Sequence, residues 1–120
     1  MKHTISLTNK GHVEVCLIGP ILLEHVTTLG QRLVIFTTQL EDMGKDLRII
    51  INSLQATELK QDAYALTMVI LKHTPFKKTA LIDRRKDIIK KHIKEITHIP
   101  VAEKIRVYET HEEAVLWLGE

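Results

Sequence analysis

Asp46-Leu47-Arg48-Ile49-Ile50-Ile51-Asn52-Ser53 is the stretch on which the fold turns. Four apolar residues, three of them β-branched isoleucines, fall in a five-residue window closed by Asn-Ser. That pattern predicts a strand buried on both faces, as in the interior of a parallel sheet. A helical pattern follows, with Leu59, Ala63, Leu66, Val69 and Ile70 on one side. The next β-like run is Lys78-Thr-Ala-Leu-Ile-Asp83. Strand, helix and strand at this spacing form a βαβ unit, whose crossover is expected to be right-handed.

Toward the N-terminus the period is two. Ile5 and Leu7 alternate with Thr4, Ser6 and Thr8; Val13, Val15 and Leu17 alternate with Glu14 and Cys16. Asn9-Lys10-Gly11 between them predicts a β-hairpin in which Gly11 supplies the positive φ, and Gly19-Pro20 is expected to close the second strand. From Leu22 the spacing changes to 4, 3, 4, 3, 4, 3 through Val26, Leu29, Leu33, Phe36, Leu40 and Met43, the apolar stripe of a long helix. Gly30 interrupts it at a cost of ~1 kcal/mol relative to Ala and marks a place for a bend. Gly44 suits the C-terminal cap. Covering the sheet accounts for the stripe; packing of its far end on a second subunit, a homodimer, is the alternative.

Toward the C-terminus, Ile88, Ile89, His92, Ile93 and Ile96 form one apolar face opposite Lys86, Lys90 and Lys94, and Pro100 ends that helix. A last strand is expected at Ile105–Glu109, then a short helix from His111 to Leu118 opened by a Thr110/Glu113 capping box. Ala114, Val115, Leu116 and Leu118 are expected to face inward. The order is β-β-α-β-α-β-α-β-α. It predicts an α/β domain over residues 1–120: a mixed, mostly parallel five-stranded sheet with an N-terminal hairpin, layered with helices.

The chain has 120 residues, enough for one domain with a real core, and its 44% hydrophobic and 27% charged composition is that of an ordinary globular protein. No apolar run approaches the ~20 residues that cross a bilayer. The start, Met1-Lys2-His3-Thr4, leads into alternation, so a signal peptide is not expected. Cys16 is the one cysteine, which excludes an internal disulfide and suits a reducing cytoplasm. The net charge of +2 is unevenly spread: residues 77–94 carry +6 and residues 95–120 carry −4.

No catalytic signature is present. The five glycines are scattered and build no phosphate loop, and there is neither a Gly-x-Ser-x-Gly nor a His-Glu-x-x-His motif. The seven histidines lie at no ligand spacing, so no metal and no cofactor are expected. Cys16 shares a strand face with Glu14 and reads as an inert, partly buried thiol. The basic run over 84–94 reads first as a solvated face; the alternative is weak binding of nucleic acid or an anionic surface, against which the scarcity of aromatic residues counts. Ligands of open α/β sheets sit beyond the carboxyl ends of strands, which places a candidate small-anion site at Asn52, Ser53, Asp83, Arg84 and Arg85. The competing structural role for Asn52, Ser53 and Asp83 is that of helix caps.

Ile105-Arg-Val-Tyr-Glu-Thr-His-Glu-Glu-Ala-Val-Leu-Trp-Leu118 resembles the closing strand and helix of the SpoIIAA-like proteins, small bacterial STAS-type domains also related to the CRAL-TRIO lipid-binding fold. The opening hairpin ending at Gly19 and the strands at Ile49–Ser53 and Lys78–Asp83 fit the same pattern along the chain. The resemblance implies a non-enzymatic regulatory or ligand- and protein-binding module. Its phosphoacceptor serine follows an aspartate; here the match is Asp62-Ala63-Tyr64, with alanine at the acceptor position, so kinase-controlled partner switching does not carry over. The lipid-binding relation implies a second reading, a carrier of a lipid or other small amphiphile held where the helices at 22–43 and 55–73 part.

Overall fold

Ile49, Ile50 and Ile51 lie at the centre of the sheet, each no more than 3% exposed, in the computed structural model of the chain. Described are residues 2–8, 11–42, 47–59, 62–63, 65–67, 70, 76–85, 87–89, 91 and 104–120. The strands are β1 (Lys2–Leu7), β2 (Val13–Ile21), β3 (Arg48–Leu59), β4 (Lys78–Ile82) and β5 (Ile105–Tyr108), in the spatial order β1-β2-β3-β4-β5. β1 and β2 are antiparallel and the other neighbours parallel. The long helix is α1 (Leu23–Asp42), and α2 (His111–Leu118) ends the chain. Residues 62–63, 65–67 and 70 are also helical, as are 87–89 and 91.

This is the mixed sheet that the period changes predicted. The hairpin turn forms as expected, with Gly11 at φ 82°. Thr8 N–H donates to His12 O at 2.7 Å, and Gly11 N–H to Thr8 O at 2.9 Å.

The order of the strands explains the layering. Each parallel strand adds on the same side of the one before, so crossovers of one hand put every crossover helix on one face. That face carries the larger core: Val13, Val15 and Leu17 of β2, Ile49 and Ile51 of β3, Leu81, Ile105 and Val107, packed under Val26, Leu29 and Leu33 of α1 with Ala63 and Ile89. Among the described residues only α2 covers the opposite face. Its Ala114, Trp117 and Leu118 pack on Ile50, Ala80 and Ile82. The half of that face over β1 and β2 stays open among those residues: Thr4 and Ser6 are exposed and Ile18 is 38% exposed.

Several boundaries differ from those predicted. Gly19-Pro20 does not close β2, which runs on to Ile21; Gly19 sits at φ 85° beside a register shift, where the ladder takes up an extra residue. β3 likewise runs past Asn52-Ser53 to Leu59, so Leu59 belongs to a strand and not to the following helix. Between Cys16↔Asn52 and Ile18↔Gln55, β3 carries an additional residue, and Asn52 Oδ1 accepts the Leu54 N–H at 3.1 Å within this bulge. The hydrogen bonds to β2 extend β3 where local pattern alone favoured a helix. α1 passes through Gly30 without a break, and Leu22 precedes the helix. Leu116 points to solvent at 72% exposure, while Trp117 turns inward at 5%. Ile88 is also outward, at 57%. Met43, Gly44, His92, Ile93, Ile96 and Pro100, with Lys86, Lys90 and Lys94, lie outside the described residues.

Both ends of α2 are anchored. The Thr110 hydroxyl accepts the Glu113 N–H at 3.3 Å and itself donates to Glu113 Oε1 at 2.9 Å. At the other end Lys78 Nζ donates to Trp117 O and Glu120 O, and Arg48 donates to Leu118 O. Two cations therefore meet the negative end of the helix dipole. Lys78 and Arg106 also stand over the Trp117 ring, 5.2 and 5.1 Å from its centroid.

Candidate functional site

Asn52, Ser53, Asp83, Arg84 and Arg85 gather where β4 ends against β3. Ile82 pairs with Asn52, and the Ser53 hydroxyl donates to Ile82 O at 3.0 Å. Asp83 is 2% exposed. Its Oδ1 accepts both the Arg85 backbone N–H at 2.8 Å and Arg85 Nε at 2.9 Å, and its Oδ2 accepts the Arg85 guanidinium at 2.9 Å. Burial alone would push the Asp83 carboxyl up; the Arg85 donors and charge, helped by Ser53, outweigh burial and hold it below the usual carboxylate value. Asp83 thus closes a turn two residues long, an Asx-type cap on the backbone leaving β4. Arg84 is exposed. Asn52 sits at the β3 bulge, not at a strand end, and caps Leu54 N–H there rather than a helix.

A second constellation was not legible in the sequence. A groove of about 520 Å³ opens between α2, the β1–β2 turn and β3. Its apolar lining is Ile50, Val115 and Leu116; its polar lining is Thr8, His12, His111 and Glu112. Glu14 on β2 reaches His111 at the first turn of α2, with Oε1 2.6 Å from Nε2, across 97 positions of sequence. The other Glu14 oxygen lies 3.5 Å from Cys16 Sγ. Burial, and then the Glu14 carboxylate, push the Cys16 thiol up, the opposite of what a nucleophile requires. The alternation of β2 puts Glu14 and Cys16 on the open face, but only the path of the chain from β5 to α2 brings His111 there. No spacing rule could have joined them.

What the groove offers chemically is an apolar floor, one prominent exposed leucine and one carboxylate, Glu112. Glu109, Glu112 and Glu113 are all exposed around the start of α2. Among the described residues no group of three histidine, cysteine or acidic side chains is placed to hold a metal ion. No helix among them is long and apolar enough to cross a membrane.

No protein-family model matches the sequence, and no curated protein matches it. Solved structures do match the fold. An uncharacterized DUF3478-family protein with a SpoIIAA-like fold from Shewanella loihica PV-4 is similar at TM-score 0.57 and 17% identity, over 98% of this chain and 92% of that one. The anti-sigma factor antagonist SpoIIAA, in its unphosphorylated form, is similar at TM-score 0.60 and 15% identity, over 98% of both chains. The fold anticipated from the closing strand and helix is therefore the fold observed: this chain has a SpoIIAA-like fold along nearly its whole length.

Proposed function

We propose that the chain is a non-catalytic binding module of the regulatory kind, and that it meets a protein partner at the groove beside α2. The observation that carries this reading is Leu116, a large apolar side chain 72% exposed at the wall of a groove that also carries the exposed Glu112. The partner it suits presents an apolar anchor flanked by basic side chains. The polar groups with catalytic potential are engaged with one another: beside the groove Glu14 with His111 and Cys16, and at the end of β4 Asp83 with Arg85. The anti-sigma factor antagonist of similar fold acts, as its name says, against another protein, which supports a protein ligand. Its phosphorylation does not transfer. Ala63 is fully buried and has no hydroxyl, Thr67 Oγ1 donates to Ala63 O at 2.8 Å, and Ser53 Oγ is held by Ile82 O.

Two other readings are less well supported. An amphiphile carrier requires α1 to part from the helical residues that follow β3; Gly30 of α1 instead stands so close to Ile70 that an added methyl would lie 2.9 Å from Ile70 Cδ1. An anionic ligand at the Asp83 cluster would find Arg84 exposed but the Arg85 guanidinium held by Asp83.

The test is retention from host-cell extract on the immobilised chain, beside its Leu116→Arg and Glu112→Lys variants. A protein held by the parent and released by both variants is the expected result. Retention that ignores both substitutions, or no retention at all, refutes the reading.

A further inference from the structure

We propose that β1 is a dimerisation edge, at which a second copy of this chain adds its own β1 antiparallel across a two-fold axis and joins the two five-stranded sheets into one. Among the described residues β1 is paired only with β2, so one of its long sides is unpaired. The two edges of the sheet differ. β5 has four residues, with exposed Arg106 among them, a short and charged edge of the kind that resists pairing. β1 has six residues in an unbroken ladder with β2, no proline and no bulge.

The ladder dictates what a second copy would meet. Thr8 N–H donates to His12 O, so the even-numbered residues of β1 turn their backbone groups toward β2. His3, Ile5 and Leu7 turn theirs outward. Antiparallel pairing about a two-fold axis must then match outward residues with outward residues. The register with Ile5 opposite Ile5 also sets His3 opposite Leu7 and uses all three on each strand. The register with Thr4 on the axis uses fewer, and brings the two His3–Arg32 pairs close together. Arg32 lies 2.6 Å from His3 Nε2, so that arrangement sets like charges side by side.

The flank of α1 selects the same partner. Ile5 forms a hollow of about 340 Å³ with Arg32, Ile35, Phe36 and Gln39, and Ile35 is 62% exposed there. Arg32, Ile35, Gln39 and Asp42 follow at spacings of three and four along that flank. In the Ile5-centred dimer the two α1 helices run antiparallel. The Arg32 end of each flank then comes beside the end of the other that carries Asp42, so the flank is complementary to itself in charge. A helix over the β1–β2 pair stands about 5 Å from such an axis, since strands are ~4.8 Å apart. The two helices are then roughly 10 Å apart, a normal packing distance.

Light scattering on the size-exclusion peak of the full chain tests this. The expected mass is twice 13.8 kDa, with Ile35→Glu and Leu7→Lys each weakening the dimer about tenfold or more, since each places a charge in the buried seam. Ile35 and Leu7 are exposed, so both variants are expected to fold, which circular dichroism checks. In a Cys16→Ser background, Ile5→Cys is expected to cross-link on oxidation and Thr4→Cys is not. A chain that stays monomeric at ~100 µM, well above the micromolar range of ordinary subunit affinities, overturns the proposal. So does a dimer indifferent to both substitutions, or one that cross-links through Thr4→Cys instead.

Discussion

Thr79 carries a hydroxyl that has no partner among the described residues, although the side chain is fully buried in β4. An unpaired buried hydroxyl has lost its water for no return, so Thr79→Val is expected to leave stability unchanged or raise it by up to ~1 kcal/mol. A urea midpoint lowered by this substitution would contradict the account. Gly30 is a second residue whose role is local contact. A helical glycine normally costs ~1 kcal/mol against alanine, yet here an added methyl would press on Ile70 Cδ1. Ile70→Val removes that atom. Gly30→Ala is therefore expected to be better tolerated in the Ile70→Val background than alone, with a coupling of roughly 0.5–1 kcal/mol in a double-mutant cycle by chemical denaturation. The glycine itself was visible in the sequence; the neighbour that gives it meaning was not.

At the scale of elements, period told strand from helix wherever the pattern was long. The three isoleucines of β3 and the stripe of α1 read correctly, because burial on both faces, or along one stripe, leaves a direct trace in residue order. Short elements misled. In α2, with eight residues, several apolar positions compete for the inward face. The contact with Ile50, Ala80 and Ile82 that chooses among them leaves no local trace; the sheet took Ala114, Trp117 and Leu118 and left Leu116 outside. The end of β3 misled for another reason, since its last residues are strand only because β2 pairs with them. The capping box was readable, but its hydroxyl donates to the Glu113 carboxylate as well as accepting the Glu113 N–H. Thr110→Ala is expected to cost about 1 kcal/mol. Hydrogen exchange should show the loss first in α2, and a loss spread evenly over the sheet would argue that the cap is not a local device.

For the whole molecule, acid stability follows from Asp83. Its folded carboxyl is held below its ordinary value, so near and below pH 4 the unfolded chain takes up the proton more readily. The stabilisation is therefore complete above the ordinary carboxylate range and is lost as pH falls through the lower folded value. Asp83→Asn is expected to cost roughly 2 kcal/mol at neutral pH and to flatten the fall in stability below about pH 4, measured by urea unfolding at successively lower pH. An unchanged acid slope in the variant would assign the acid sensitivity elsewhere. The same scale explains the groove. Crossovers of one hand crowd one face of the sheet, leaving α2 alone among the described residues on the other, and the uncovered half becomes accessible surface.

The amino-acid order by itself determined the class of fold, the core strand, the long helix and the hairpin, since these depend on periodicity and on turn chemistry between near neighbours. It also marked Asp83 and Arg85 as neighbours at one strand end, two positions apart. Only the tertiary structure decided that β3 outlasts Asn52-Ser53, that Leu116 faces water and that Glu14 meets His111, because those outcomes depend on hydrogen bonds and packing between segments many residues apart, which local pattern cannot encode.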